Sequence, residues 1–137
     1  MRVVLDADVL IGALDGSDSH HAQARALFTG WQERDDTRLI SVVNLTELLV
    51  APAAEKQRLR AAREAIAALG VAIHQPGAAI GVEAARLRYS HPISLPDAYC
   101  LATAHHTGGT LASFDEKILR AARAEQITLA ETPKRRR

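Results

Sequence analysis

The chain has 137 residues, a formal net charge of +1 and 47% hydrophobic residues. That length suits one domain with a substantial core, and the near-zero net charge excludes the broad basic field of a dedicated nucleic-acid-coating protein. Cys100 is the only cysteine, which excludes an intrachain disulfide, and no segment approaches the ~20 apolar residues of a membrane helix. No apolar leader follows the first strand, so no membrane association and a cytoplasmic location are expected.

Val3, Val4 and Leu5 form an apolar run without alternation, the pattern of a strand buried on both faces. Asp6 ends it, and Asp8 follows before Val9, Leu10 and Ile11 resume the apolar pattern. Asp8 reads either as the N-cap of the next helix or, with Asp6, as part of a chemical site at a strand end. Ala24, Leu27, Phe28 and Trp31 make one helical stripe, which places Trp31 in the core or an interface. The run "RLISVV" predicts a second strand, then a helix from about Asn44 carrying Leu45, Leu48 and Leu49 and ending before Pro52.

Leu59, Ala62, Ile66 and Leu69 stripe the next helix, which Gly70 stops. Arg58, Arg60 and Arg63, and later Arg86 and Arg88, suit solvated helix faces. "VAIH" predicts a third strand, and Ile80, Ala84 and Leu87 stripe a helix that His91 and Pro92 break. A helix from about Leu95 to His106 carries Cys100 as a small buried residue and closes at Gly108 and Gly109. "TLAS" predicts a fourth strand, Asp115 to Ala124 a helix, and "ITLA" a fifth strand.

Five strands separated by helices imply an α/β fold with a mostly parallel sheet and helices on both faces. The domain is expected to span residues 1–132, followed by a basic tail, 133–137, that suits a solubilising end or a phosphate-contacting arm. His20 and His21, like His105 and His106, are adjacent pairs. Neighbours on a helix point ~100° apart, so neither pair is expected to chelate one ion.

Four acids fall at βα junctions: Asp6 after strand one, Glu47 after strand two, Asp97 opening the helix in "SLPDAY", and Asp115 after strand four. Each also has a structural explanation, because Asn44 with Glu47 and Ser94 with Asp97 have capping-box spacing and Asp115 can cap its helix. Together they suggest more, since the strand ends of a parallel sheet share one edge where such acids can converge. Two carboxylates ~4 Å apart at an effective dielectric of ~20 repel by about 4 kcal/mol, whereas a helix N-terminus offsets only ~0.3–1 kcal/mol. No Lys or Arg stands beside these acids, so convergence calls for a cation. All-oxygen ligands suit Mg²⁺, with Mn²⁺ as a substitute, and such an ion suits phosphodiester chemistry.

The segments "VVLDADVLI", "SVVNLTELL", "ISLPDAYCLATA" and "LASFD", in that order and over nearly the whole chain, resemble PIN-domain ribonucleases, most closely the VapC-type toxins of toxin–antitoxin pairs. The resemblance implies a PIN-like three-layer α/β/α sandwich and a Mg²⁺ site of Asp6, Glu47, Asp97 and Asp115, with Glu47 supporting the principal ion or a second one. It makes Ser113 a supporting hydroxyl. Asp8 stands where such proteins often carry Ser, Thr or Asn, which suits a cap or a supporting role with direct ligation open. Further implications are endonucleolytic RNA cleavage leaving a 3′-hydroxyl and a 5′-phosphate, a homodimer, and inhibition by a cognate antitoxin. Two rival readings are a haloacid dehalogenase-like phosphohydrolase, because "LDADVL" is similar to its Asp-x-Asp motif with Asp6 as nucleophile, and a degenerate PIN domain that only binds RNA or a partner protein.

Overall fold

Val3, Val4 and Leu5 are almost fully buried, and the strand they form, β1 (Arg2–Leu5), lies inside the sheet with a neighbour on either side. A computed structural model describes residues 1–130. Strands β2 (Thr37–Ser41), β3 (Val71–His74) and β4 (Thr110–Ala112) join β1 in the order β3-β2-β1-β4, all parallel. Strand alternation sends Val3 and Leu5 to one face and Val4 to the other.

The Val3 and Leu5 face packs on α1 (Ala7–Leu14), α2 (His21–Glu33), α3 (Val42–Leu49) and α4 (Lys56–Ala68) through Leu10, Leu27, Phe28, Trp31, Leu45 and Ile66. The Val4 face packs on α5 (Ala78–Ser90), α6 (Leu95–Thr107) and α7 (Glu116–Ala124) through Ile80, Leu87, Leu101, Ala104 and Ile118. The result is the expected three-layer α/β/α arrangement. Trp31 belongs to the core, and so does Cys100, whose thiol burial and the surrounding acids push up well above its usual range. Gly108 closes α6 in the left-handed conformation at φ 67°, which glycine adopts without steric cost.

Two expectations need correction. The fifth strand reduces to a single bridge, Leu129 beside Leu111, held by Leu111 N–H to Thr128 O (2.9 Å) and Ala130 N–H to Leu111 O (2.8 Å). The chain enters it from Gln126 at φ 59°, and β4 itself offers only Thr110–Ala112 for pairing. The sheet therefore has four strands. Val42 and Val43, read as strand from their β-branched side chains, are the first turn of α3, because Ser41 Oγ accepts from Val43 N–H at 3.3 Å and caps that helix. The basic tail, 133–137, lies outside the described residues.

Candidate metal centre

With all strands parallel, their carboxyl ends form one edge, and every acid singled out from the sequence is attached there. Asp6 follows β1 and caps α1: its Oδ1 accepts from Ala7 N–H at 2.7 Å and its Oδ2 from the Ser113 hydroxyl at 2.8 Å. Ser113, just beyond β4, also accepts the Asp115 N–H at 3.0 Å, so one hydroxyl ties the first junction to the last. Asp115 caps α7 through Lys117 N–H at 2.9 Å. Asp97 forms the capping box with Ser94, which fixes its carboxylate at the start of α6.

Asp8 is not the cap of α1, since Asp6 takes that place. It lies in the first turn, where its Oδ2 accepts from Phe114 N–H at 3.0 Å across the sheet edge. Its Oδ1 is buried and has no hydrogen-bond partner. Nor does Asn44 cap α3. It is buried within the first turn, donating to Pro96 O at 3.1 Å and, more weakly, to Glu47 Oε1 at 3.5 Å. Asn44 thereby joins the Glu47 helix to the Asp97 helix, a link that the capping-box spacing concealed.

Electrostatic influences link these positions pairwise. Burial pushes the Asp6 carboxyl up to about 7, helped by the charges of Asp8 and Asp97 and opposed by the Ser113 hydroxyl. Burial also raises Asp8, to about 6, with Asp115 adding to the shift while Phe114 N–H and His20 oppose it. Glu47 is raised by burial and by Asp97 against the Asn44 hydrogen bond. Among the described residues no Lys or Arg forms an ion pair with any of the five acids. A cluster of oxygen donors without a counter-cation, one of them a buried orphan, fits a hard divalent ion.

Two neighbours were not legible in the sequence. His20 stacks on Phe114, with ring centroids 4.4 Å apart and planes 8° from parallel, so the residue whose N–H holds Asp8 is braced by an imidazole. No local motif signals this. A groove of about 700 Å³ between α3, α4 and β3 is lined by Lys56, Arg60 and Arg63 and by none of the five acids.

Fold and site together define an α/β/α protein with an acidic centre at the carboxyl edge of a parallel sheet. The chain belongs to the PIN domain family, whose profile matches residues 3–124. The fold is similar to VapC20 of Mycobacterium tuberculosis, described as a sarcin-ricin-loop-cleaving toxin, with a TM-score of 0.71, 18% identity, and 87% of this chain and 94% of that one covered. It is also similar to VapBC-1 of nontypeable Haemophilus influenzae (TM-score 0.72, 14% identity, 96% and 98% covered). A toxin–antitoxin complex of Klebsiella pneumoniae gives a TM-score of 0.67 at 24% identity, with 85% and 89% covered. No curated protein matches the chain in sequence. Family membership over this span leaves the phosphohydrolase reading without support. No helix among the described residues is long and apolar enough to cross a membrane.

Proposed function

We propose that the protein is a Mg²⁺-dependent endoribonuclease, the toxin of a toxin–antitoxin pair. The observation that carries this reading is the convergence of Asp6, Asp8, Glu47, Asp97 and Asp115 at one sheet edge without a neutralising cation among the described residues. Membership of the PIN family and similarity to structures described as toxins and toxin–antitoxin complexes support it.

Asp6, Asp97 and Asp115 would hold the principal ion, directly or through water, and Glu47 would support it or a second ion. When bound, Mg²⁺ supplies Lewis-acid stabilisation of a phosphodiester and lowers the pKa of water. Ser113 fixes the Asp6 carboxylate and the Asp115 backbone in one geometry, which spares the site reorganisation during reaction. Asp8, held by Phe114 N–H, offers its unpartnered Oδ1 as an additional acceptor for a ligand or an ordered water. Water adds to phosphorus, the P–O3′ bond breaks, and the products are a 3′-hydroxyl and a 5′-phosphate. Lys56, Arg60 and Arg63, on the groove beside the helix that carries Glu47, are the cations we assign to contact RNA phosphates. A cognate antitoxin and a second copy of the chain are the proposed protein partners.

Incubating purified protein with total RNA and Mg²⁺, then sequencing the new ends, tests this reading. Discrete cuts that vanish with EDTA and carry 5′-phosphates are expected. RNA binding without cutting would place the protein among degenerate PIN domains.

A further inference from the structure

His105 and His106 lie in the last turn of α6, about 12 Å along the helix axis from Asp97 by the rise of 1.5 Å per residue. Their rings do not diverge as adjacent helical positions suggest. His105 presents Nδ1, the nitrogen near its backbone, 2.5 Å from Glu83 Oε1, and His106 presents the distal Nε2, 2.6 Å from Glu83 Oε2. The use of unlike nitrogens closes the angle between the two side chains, whose rings meet edge to face at 80° with centroids 5.9 Å apart. Glu83 reaches them from α5, its side chain 12% exposed against 61% for His105 and 36% for His106. One donor atom from each of the three residues can be chosen so that all lie within 4.8 Å of one another.

We propose that Glu83, His105 and His106 form a second metal site, independent of the acidic centre, for a zinc-class ion that staples α5 to α6. Two imidazoles and one carboxylate are borderline donors suited to Zn²⁺ and poorly suited to Mg²⁺, which takes oxygen ligands. Four-coordinate zinc with bonds of about 2.0–2.2 Å sets its donors roughly 3.3 Å apart, so the present N···O contacts need to open by less than about 1 Å. The site lies in the last turn of α6, where the helix dipole favours a cation. Arg86 is the competing charge, 3.7 Å from Glu83 Oε1, yet its guanidinium is committed to Glu125 at 2.8 Å. The helices supplying the ligands are already locked together by buried Ile80, Ala84, Leu87, Leu101 and Ala104, so binding orders little new backbone. Three protein ligands leave a fourth position for water.

Cobalt distinguishes this site from the acidic one, because four-coordinate Co²⁺ with nitrogen ligands absorbs visible light far more strongly than six-coordinate Co²⁺ held by oxygen. Titration of the full chain with Co²⁺ is expected to develop intense bands that saturate at one equivalent and are displaced by Zn²⁺. Asp97→Asn retains these bands. Glu83→Gln and His106→Ala lose them, with affinity falling by more than the roughly 10–100-fold that loss of an outer-shell partner costs. His105→Ala serves as a replacement should either variant fail the circular-dichroism check of folding. The absence of intense bands in the parent chain, or their persistence in folded Glu83→Gln and His106→Ala, overturns the proposal and leaves the three residues as a hydrogen-bonded cluster.

Discussion

Asp36 and Glu125 have cations beside them, while Asp6 and Asp8, at the carboxyl edge of the sheet, have no Lys or Arg paired with them among the described residues. Asp36 receives the N-terminal ammonium at 3.2 Å and Arg34 Nε at 3.0 Å, and these outweigh its burial and hold its carboxyl below the usual range. Arg86 and then His91, both at 2.8 Å, lower Glu125 in the same way. Asp6, Asp8 and Glu47 move the opposite way. Acids that serve the fold are neutralised within it, whereas these three have no neutralising partner among the described residues, an environment that a bound cation would complete.

The largest effect expected from breaking this contrast is on cleavage. Asp6→Asn and Asp97→Asn each remove a charged ligand and should lower RNA cutting by ~10²–10³-fold or more, the scale of losing one electrostatic group at a reaction centre. Single-turnover cleavage with Mg²⁺, on variants shown to be folded, measures it.

Stability should respond in the opposite direction. A carboxyl raised in the folded state binds its proton more tightly there than in the unfolded chain. Without metal, Asp6 therefore contributes a penalty that is absent below about pH 4 and grows until the pH passes its folded value of about 7. Metal-free Asp6→Asn should accordingly be more stable than the parent at pH 8, by of order 1–3 kcal/mol, with the gain fading towards pH 4. Denaturant titrations in EDTA at the two pH values read this directly.

Ser113→Ala removes the hydroxyl that holds Asp6 and the Asp115 N–H, and is expected to cost about 1–3 kcal/mol and to weaken cleavage. Arg86→Ala gives the smallest effect. It breaks a half-exposed pair with Glu125, costs less than about 1 kcal/mol and leaves cleavage unchanged.

Much of this contrast is legible in the sequence, for a physical reason. A strand buried on both faces must be apolar, so an acid at its end stands out, and the parallel-sheet rule carries Asp6, Glu47, Asp97 and Asp115 to one edge before any coordinate is known. What stays hidden depends on partners far along the chain. Asp6 and Asp8 have equal capping chemistry, and the arrival of the Ser113 hydroxyl at one and of Phe114 N–H at the other, 107 and 106 residues later, separates their roles. Asn44 has the spacing of a cap, yet Ser41 caps α3 and Asn44 turns inward to Pro96. "ITLA" has strand composition but pairs at a single residue within the described chain. The adjacency of His105 and His106 argues against a shared partner until Glu83 is brought between them by helix packing.

The central claim, that the unneutralised acids are a cation site, is tested most directly by calorimetric titration of the protein and of Asp6→Asn with Mn²⁺ near pH 6.5, repeated in buffers of different ionisation enthalpy. The parent chain should bind saturably and release protons as it does so, because Asp6 and Asp8 are partly protonated there, with values of about 7 and about 6. Asp6→Asn should bind at least about 10-fold more weakly and release fewer protons. Equal affinity and equal proton release in the two proteins would contradict the assignment.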